Sequence, residues 1–163
     1  MAPEASSTPG GPIPVPYTAE EVGRTFADLL ASFDFRQELF ELGIGSLRLV
    51  KRARVKKLLT ALSIALWHVA LTKSFPNDAD AFFNHFIATY PLLENKGRSA
   101  AKFRELVLRY DALVSEKKDT DFSEVAKQIA GDLDFHPADR AKGQLWLSLR
   151  IRAFYDLIFT KLI

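Results

Sequence analysis

The stretch KRARVKKLLTALSIALWHVAL, residues 51–71, changes character near its midpoint, and that change decides the fold. From Leu58 to Leu71 there is no lysine, arginine, aspartate or glutamate, and no glycine or proline. At 100° per residue its apolar side chains point in every direction, and a helix that is apolar all round is buried all round. A membrane-crossing helix needs about twenty apolar residues. These fourteen therefore read as the central helix of a bundle, with no transmembrane segment expected. Each Leu, Ile or Val enclosed in this way contributes about 1.5–3 kcal/mol, so the run demands several other helices around it.

The residues just upstream behave differently. Six of the ten positions from Arg48 to Lys57 are basic and none is acidic. On a helical wheel Arg48, Lys51, Arg52 and Lys56 share one face, with Leu47, Leu49, Val50 and Ala53 opposite. The reading is a helix from about Ser46 to Leu71 whose basic end emerges from the domain. Arg48, Lys51, Arg52, Arg54, Lys56 and Lys57 are the candidate contact for an anion or acidic partner, whether nucleic-acid phosphates or lipid headgroups. The plainer alternative is a solvated face whose long stems cover apolar surface.

Working outward from this helix, the sequence punctuates itself. Residues 1–16 carry five prolines among Ser, Thr and Gly, a composition that cannot close a core and reads as a flexible extended tail. Thr18 with Glu21 makes a capping box, and Tyr17 with Val22 a hydrophobic staple, for a helix with Phe26, Leu29, Leu30 and Phe33 as its stripe. Asp34 reads as the N-cap of a short second helix bearing Phe35, Leu39, Phe40 and Leu42. Gly43-Ile44-Gly45 stops it. Gly-rich backbone before a helix can hold an anion, but no strand precedes it here and the third dinucleotide-fingerprint Gly is missing, so a helix stop and restart is the better reading.

After a turn at residues 73–78, a fourth helix capped by Asn77 or Asp78 carries Phe82, Phe83, Phe86 and Ile87 and ends before Pro91. A fifth, about Ser99 to Glu116, has the stripe Phe103, Leu106, Val107, Tyr110, Leu113, Val114. Asp121 with Glu124 caps a sixth, and Pro137 opens a seventh. This last helix has two stripes. Leu147, Ile151, Phe154, Ile158 and Leu162 form one; Trp146, Leu149, Ala153 and Leu157 form a second about 100° away. One stripe serves a core, so the second predicts a partner-docking surface or another covering helix.

Composition excludes more than it includes. The chain has 163 residues, 48% hydrophobic and 26% charged, with thirteen Phe, which suits one aromatic-rich core. A formal charge of +2 is too small for a globally basic nucleic-acid binder, so any such role rests on local clusters. The absence of cysteine excludes disulfides, thiolate metal sites and a Cys nucleophile. No basic start or apolar run marks a secretory signal, and the expected location is cytoplasmic. His68, His85 and His136 lack metal-motif spacing, and no axial haem ligand can be assigned among them. His68, in the apolar half of the central helix, reads as a hydrogen-bonded core residue. Asp78, Asp80 and His85, and Asp132, Asp134, His136 and Asp139, cluster near helix starts, where capping alone calls for acids. No cofactor, metal or catalytic residue is expected.

Residues 128–145 resemble a helix-turn-helix of transcription regulators: Ile129-Ala130, Leu133, Phe135 and Pro137-Ala138 fall in its pattern. The resemblance implies a recognition helix from Pro137 presenting Arg140, Lys142 and Gln144 to base edges. The chain departs from the pattern where Asp134 replaces the turn Gly and Arg140 or Ala141 the apolar anchor, and Gly143 weakens the helix.

The sequence therefore predicts an all-α, single-domain bundle of six to seven helices over residues 17–163, following the tail. Its expected role is a non-enzymatic protein-interaction module, an accessory subunit or adaptor. The second expectation is a nucleic-acid-binding regulator, and self-association is open to either.

Overall fold

Thr18 sets the first boundary. Its hydroxyl accepts the Glu21 amide at 3.2 Å while the Glu21 carboxylate accepts the Thr18 amide at 2.9 Å, the reciprocal bonding of a capping box. From there the computed structural model, which describes residues 16–91 and 97–162, runs through α1 (Ala19–Ser32), α2 (Arg36–Glu41), α3 (Leu49–Ser74), α4 (Ala79–Thr89), α5 (Arg98–Lys117), α6 (Ser123–Asp132), a 3-10 turn (Pro137–Asp139) and α7 (Arg140–Leu162). No strand occurs among the described residues. The tail expected over residues 1–16, except Pro16, and most of the loop before α5 lie outside the described residues.

The long helix α3 is the axis of the bundle. Between Leu58 and Leu71 every residue is buried except Thr60 and His68, which are half-buried. Helices α1, α4, α5 and α7 pack against it, and α6 packs on α5 and α7. By length and composition α3 could also cross a membrane, but 72% of its apolar window is enclosed by the rest of the protein. Trp67 anchors one layer. Its indole stacks on Phe26 at 4.5 Å and meets Phe86 at 5.0 Å, tying α3 to α1 and α4. The α7 stripe predicted for the core does face inward: Leu147, Ile151 and Ile158 are buried, Phe154 and Leu162 partly so.

Several boundaries differ from the sequence reading. Helix α3 begins at Leu49 and ends at Ser74, three residues later than expected at each end, because Gly45, Ser46 and Leu47 are used in a turn leading to Arg48 as N-cap. The N-cap of α2 is Phe35 rather than Asp34. Phe35 adopts left-handed backbone, φ 54°, which places its ring against Phe33 and Phe154, and Asp34 accepts the Arg36 amide from one residue further out. Asp121 acts in the same way at α6, accepting the Ser123 amide at 2.9 Å, while Phe122 holds the cap position and is buried. In both cases the acid supplies the acceptor, but an aromatic seeking the core takes the next position. Pro137 opens a 3-10 turn ahead of α7.

Candidate docking surfaces

The basic segment does emerge from the domain. Every residue from Gly45 to Lys51 is exposed, and burial begins in earnest only at Val55. The six cations do not act as one set. Arg54 donates to the Asp132 carbonyl oxygen at 2.6 Å, satisfying the carboxyl end of α6, where carbonyls have no intrahelical partners. Arg52 donates to the Ile44 carbonyl at 3.3 Å and braces the turn before α3. Lys57 lies over the Phe103 ring at 5.8 Å. Arg48, Lys51 and Lys56 make no ion pair or side-chain hydrogen bond with a described residue. Three of the six cations thus serve the fold, and the other three pair with no described residue.

The apolar side of the same turn is uncovered too. Leu47 is 95% exposed, Val50 87% and Leu49 72%. Phe40, in the last turn of α2, is 83% exposed. A helix wheel predicts opposed apolar and basic faces here, and in the structure Leu47, Arg48, Leu49, Val50 and Lys51 are all exposed, with Arg52 alone turned back onto the Ile44 carbonyl.

The second candidate surface lies along α7. Leu149 is 65% exposed, Leu157 40%, and Ala153 is exposed between them. Trp146 does not belong with them. It is half-buried, and its indole N–H donates to the Glu41 carboxylate at 2.7 Å, fastening α7 to α2. Arg150 reinforces this fastening with a 2.7 Å bond to Glu38. The predicted docking set therefore loses Trp146, whose ring is needed inside, and gains Leu145, 65% exposed. Leu145 sits four residues before Leu149, and that spacing was the signal available for finding it. Leu145, Leu149, Ala153 and Leu157 form one i, i+4 row on the solvent side.

The remaining polar groups are tied into the fold. His68 lies flat on Phe83, ring centres 4.0 Å apart, with Nδ1 2.8 Å from Asp111 and Nε2 3.0 Å from Asp80. Burial works against its imidazolium, but the hydrogen bonds and charges of the two carboxylates outweigh it and hold its pKa above the ordinary value. The expected core histidine is thus a three-helix junction of α3, α4 and α5. Asp132 closes another junction, accepting from the buried Tyr110 hydroxyl at 2.7 Å, from Arg109 at 3.3 Å and from Gln128 at 3.2 Å. Burial, then the Asp132 carboxylate, raises the Tyr110 pKa. His85 is exposed, and the His136 ring accepts the Ala138 amide at 3.3 Å. No group of three His, Asp or Glu placed to hold a metal ion occurs among the described residues.

The helix-turn-helix-like segment has its turn: Asp134 adopts left-handed backbone, φ 57°, between α6 and the 3-10 turn. Arg140 and Lys142 are exposed beyond it, but Gln144 is half-buried and the helix continues for 23 residues into the core. Comparison with known protein families, with characterised proteins and with solved structures finds no match to this chain.

Proposed function

We propose that this chain is a non-enzymatic helical interaction module, an accessory subunit or adaptor that docks a protein partner along α7. The observation that carries the proposal is the solvent-facing row Leu145, Leu149, Ala153 and Leu157, on a helix whose opposite stripe already fills the core. Apolar side chains scattered singly on a surface need no explanation, but a contiguous row is how a helix presents itself to a groove or to another helix. Glu41, Glu38 and the ring of Trp146 hold the helix in place from behind, so the row is offered on a fixed scaffold.

The test is purification of tagged protein from its native source at high salt, with and without Leu149→Asp and Leu157→Asp. A defined partner set that survives high salt and vanishes in the double variant is the expected result. The variant should keep its helical circular dichroism, since both side chains already face solvent. Retention of the same partners by the folded variant would remove the reading. A second reading, a nucleic-acid-binding regulator, draws on Arg48, Lys51 and Lys56, which pair with no described residue. It calls for bound nucleic acid that is released steeply by salt, because phosphate contacts release counterions.

A further inference from the structure

We infer that the turn 45–48 and the first turn of α3 form a membrane-surface contact that inserts Leu47, Leu49 and Val50 among lipid tails while Arg48 and Lys51 engage anionic headgroups. This surface is separate from the α7 row and does not depend on it.

Two independent features meet at this tip. The first is apolar: Leu47, Val50 and Leu49 are the most exposed aliphatic side chains of the described residues, at 95%, 87% and 72%, with Phe40 at 83% on the helix that feeds the turn. Leaving four such groups in water has no purpose within the fold. The second is electrostatic: no Asp or Glu occurs between Glu41 and Asp78. Glu41 itself is occupied by Gln37 and Trp146. Among the described residues, no carboxylate forms an ion pair with Arg48 or Lys51 beside the apolar tip.

The chemistry discriminates among occupants. Nucleic-acid phosphates would satisfy Arg48 and Lys51, but branched aliphatics cannot stack on bases as aromatic rings do, so Leu47, Leu49 and Val50 would remain in water. A second copy of this tip would bring like charges together. An anionic bilayer surface fits both features, since apolar side chains enter the headgroup–acyl boundary and Lys and Arg stay with the phosphates.

The dimensions agree. Arg54, bonded to the Asp132 carbonyl oxygen, marks where α3 joins the body. Leu49 to Arg54 is five residues, about 7.5 Å of helix at 1.5 Å per residue, braced at its base by the bond from Arg52 to the Ile44 carbonyl. Interfacial segments enter by about 5–10 Å. The enclosed part of α3 stays where it is, so the contact lies on the surface and does not span it.

The experiment is co-sedimentation of the full chain with phosphatidylcholine vesicles and with mixed phosphatidylcholine–phosphatidylserine vesicles. Wild type should partition onto the mixed vesicles only. Each cation near an anionic surface is worth roughly fivefold in affinity, so Arg48→Glu with Lys51→Glu should lower binding by at least about 25-fold. Leu47→Ser with Val50→Ser should lower it by about tenfold or more, since two aliphatic side chains no longer leave water. Leu47→Trp should show a blue-shifted emission component on mixed vesicles. The Leu149→Asp, Leu157→Asp variant should bind vesicles as wild type does, which keeps this test separate from that of the α7 row. Circular dichroism of each variant should be unchanged, because the substituted side chains are exposed. Equal binding by wild type and the double-serine variant would mean adsorption without insertion and overturn the inference. So would no binding to mixed vesicles, duplex nucleic acid bound in preference to them at the same salt, or a wild-type dimer that the double-serine variant converts to monomer.

Discussion

At the scale of single residues, the polar junctions carry the sharpest consequences. Tyr110 is fully buried and its hydroxyl relies on Asp132. Removing the acceptor strands a buried donor, which costs about 1–3 kcal/mol. Asp132→Ala should therefore lower the urea midpoint by the equivalent of about 2 kcal/mol with an unchanged m-value. Tyr110→Phe leaves Asp132 its bonds to Arg109 and Gln128 and should cost only about 1 kcal/mol. His68 makes a prediction in pH. Its folded pKa lies above the ordinary 6.5, so the folded state holds the proton more tightly than the unfolded chain. The resulting stabilisation is complete below pH 6.5 and is lost as pH rises through the folded value. Thermal melts should show the midpoint falling as pH rises from 6.5 through the folded value and levelling off above it, with the slope flattened in His68→Gln; a wild-type midpoint that rises across that window would contradict the junction. The sequence could place His68 in a buried helix, but not its partners. Asp111 is 43 positions away, and only the packing of α5 on α3 brings them together. The split of the basic cluster was hidden for the same reason, since Arg54 finds its acceptor 78 residues downstream.

At the scale of elements, local rules served where local physics dominates. The Thr18 capping box, the stop at Gly43 with φ 68° and the end of α4 before Pro91 are all decided within a few residues, and all were readable. The starts of α2 and α6 were misplaced by one residue because Phe35 and Phe122 answer to the core, which no local rule contains. Gly143 is a further case. In a sequence it reads as a flaw near the start of α7, but a Cβ there would stand 2.8 Å from the Phe135 ring. Replacing a helical glycine by alanine ordinarily stabilises by up to about 1 kcal/mol, whereas forcing an atom into occupied space costs about 1–3 kcal/mol. Gly143→Ala should thus lower stability by about 1 kcal/mol. In a Phe135→Leu background the same substitution should be neutral or favourable, as a double-mutant cycle by chemical denaturation would show.

At the scale of the whole molecule, the sequence was most informative about enclosure. A fourteen-residue run apolar on every side can only be an axis, and the other helices were found by the stripes they turn toward it. What the stripes could not say is which surplus apolar faces remain uncovered. Trp146 and Leu149 looked equivalent on a wheel, yet α2 covers one and leaves the other to solvent, because Glu41 offers the indole an acceptor. The wheel of the first turns of α3 likewise predicts two faces without revealing that residues 47–51 are exposed on both. The whole chain should consequently behave differently in two assays. Association through α7 should withstand salt, since it is apolar. Any contact through the tip of α3 should weaken as salt screens Arg48 and Lys51 over about 10 Å at 0.1 M. Analytical ultracentrifugation and vesicle sedimentation across a salt series would separate the two.

The bond from Arg54 to the end of α6 marks off the first turn of α3 from the much longer part that the fold requires. In a library screened only for folded, protease-resistant protein, the buried apolar positions between 58 and 71 should accept almost no polar residue, whereas positions 45–51 should accept nearly any. Such a screen would show Leu47, Leu49 and Val50 to be dispensable for folding. Any tendency of living cells to keep them apolar would then be a direct record of work done outside the fold.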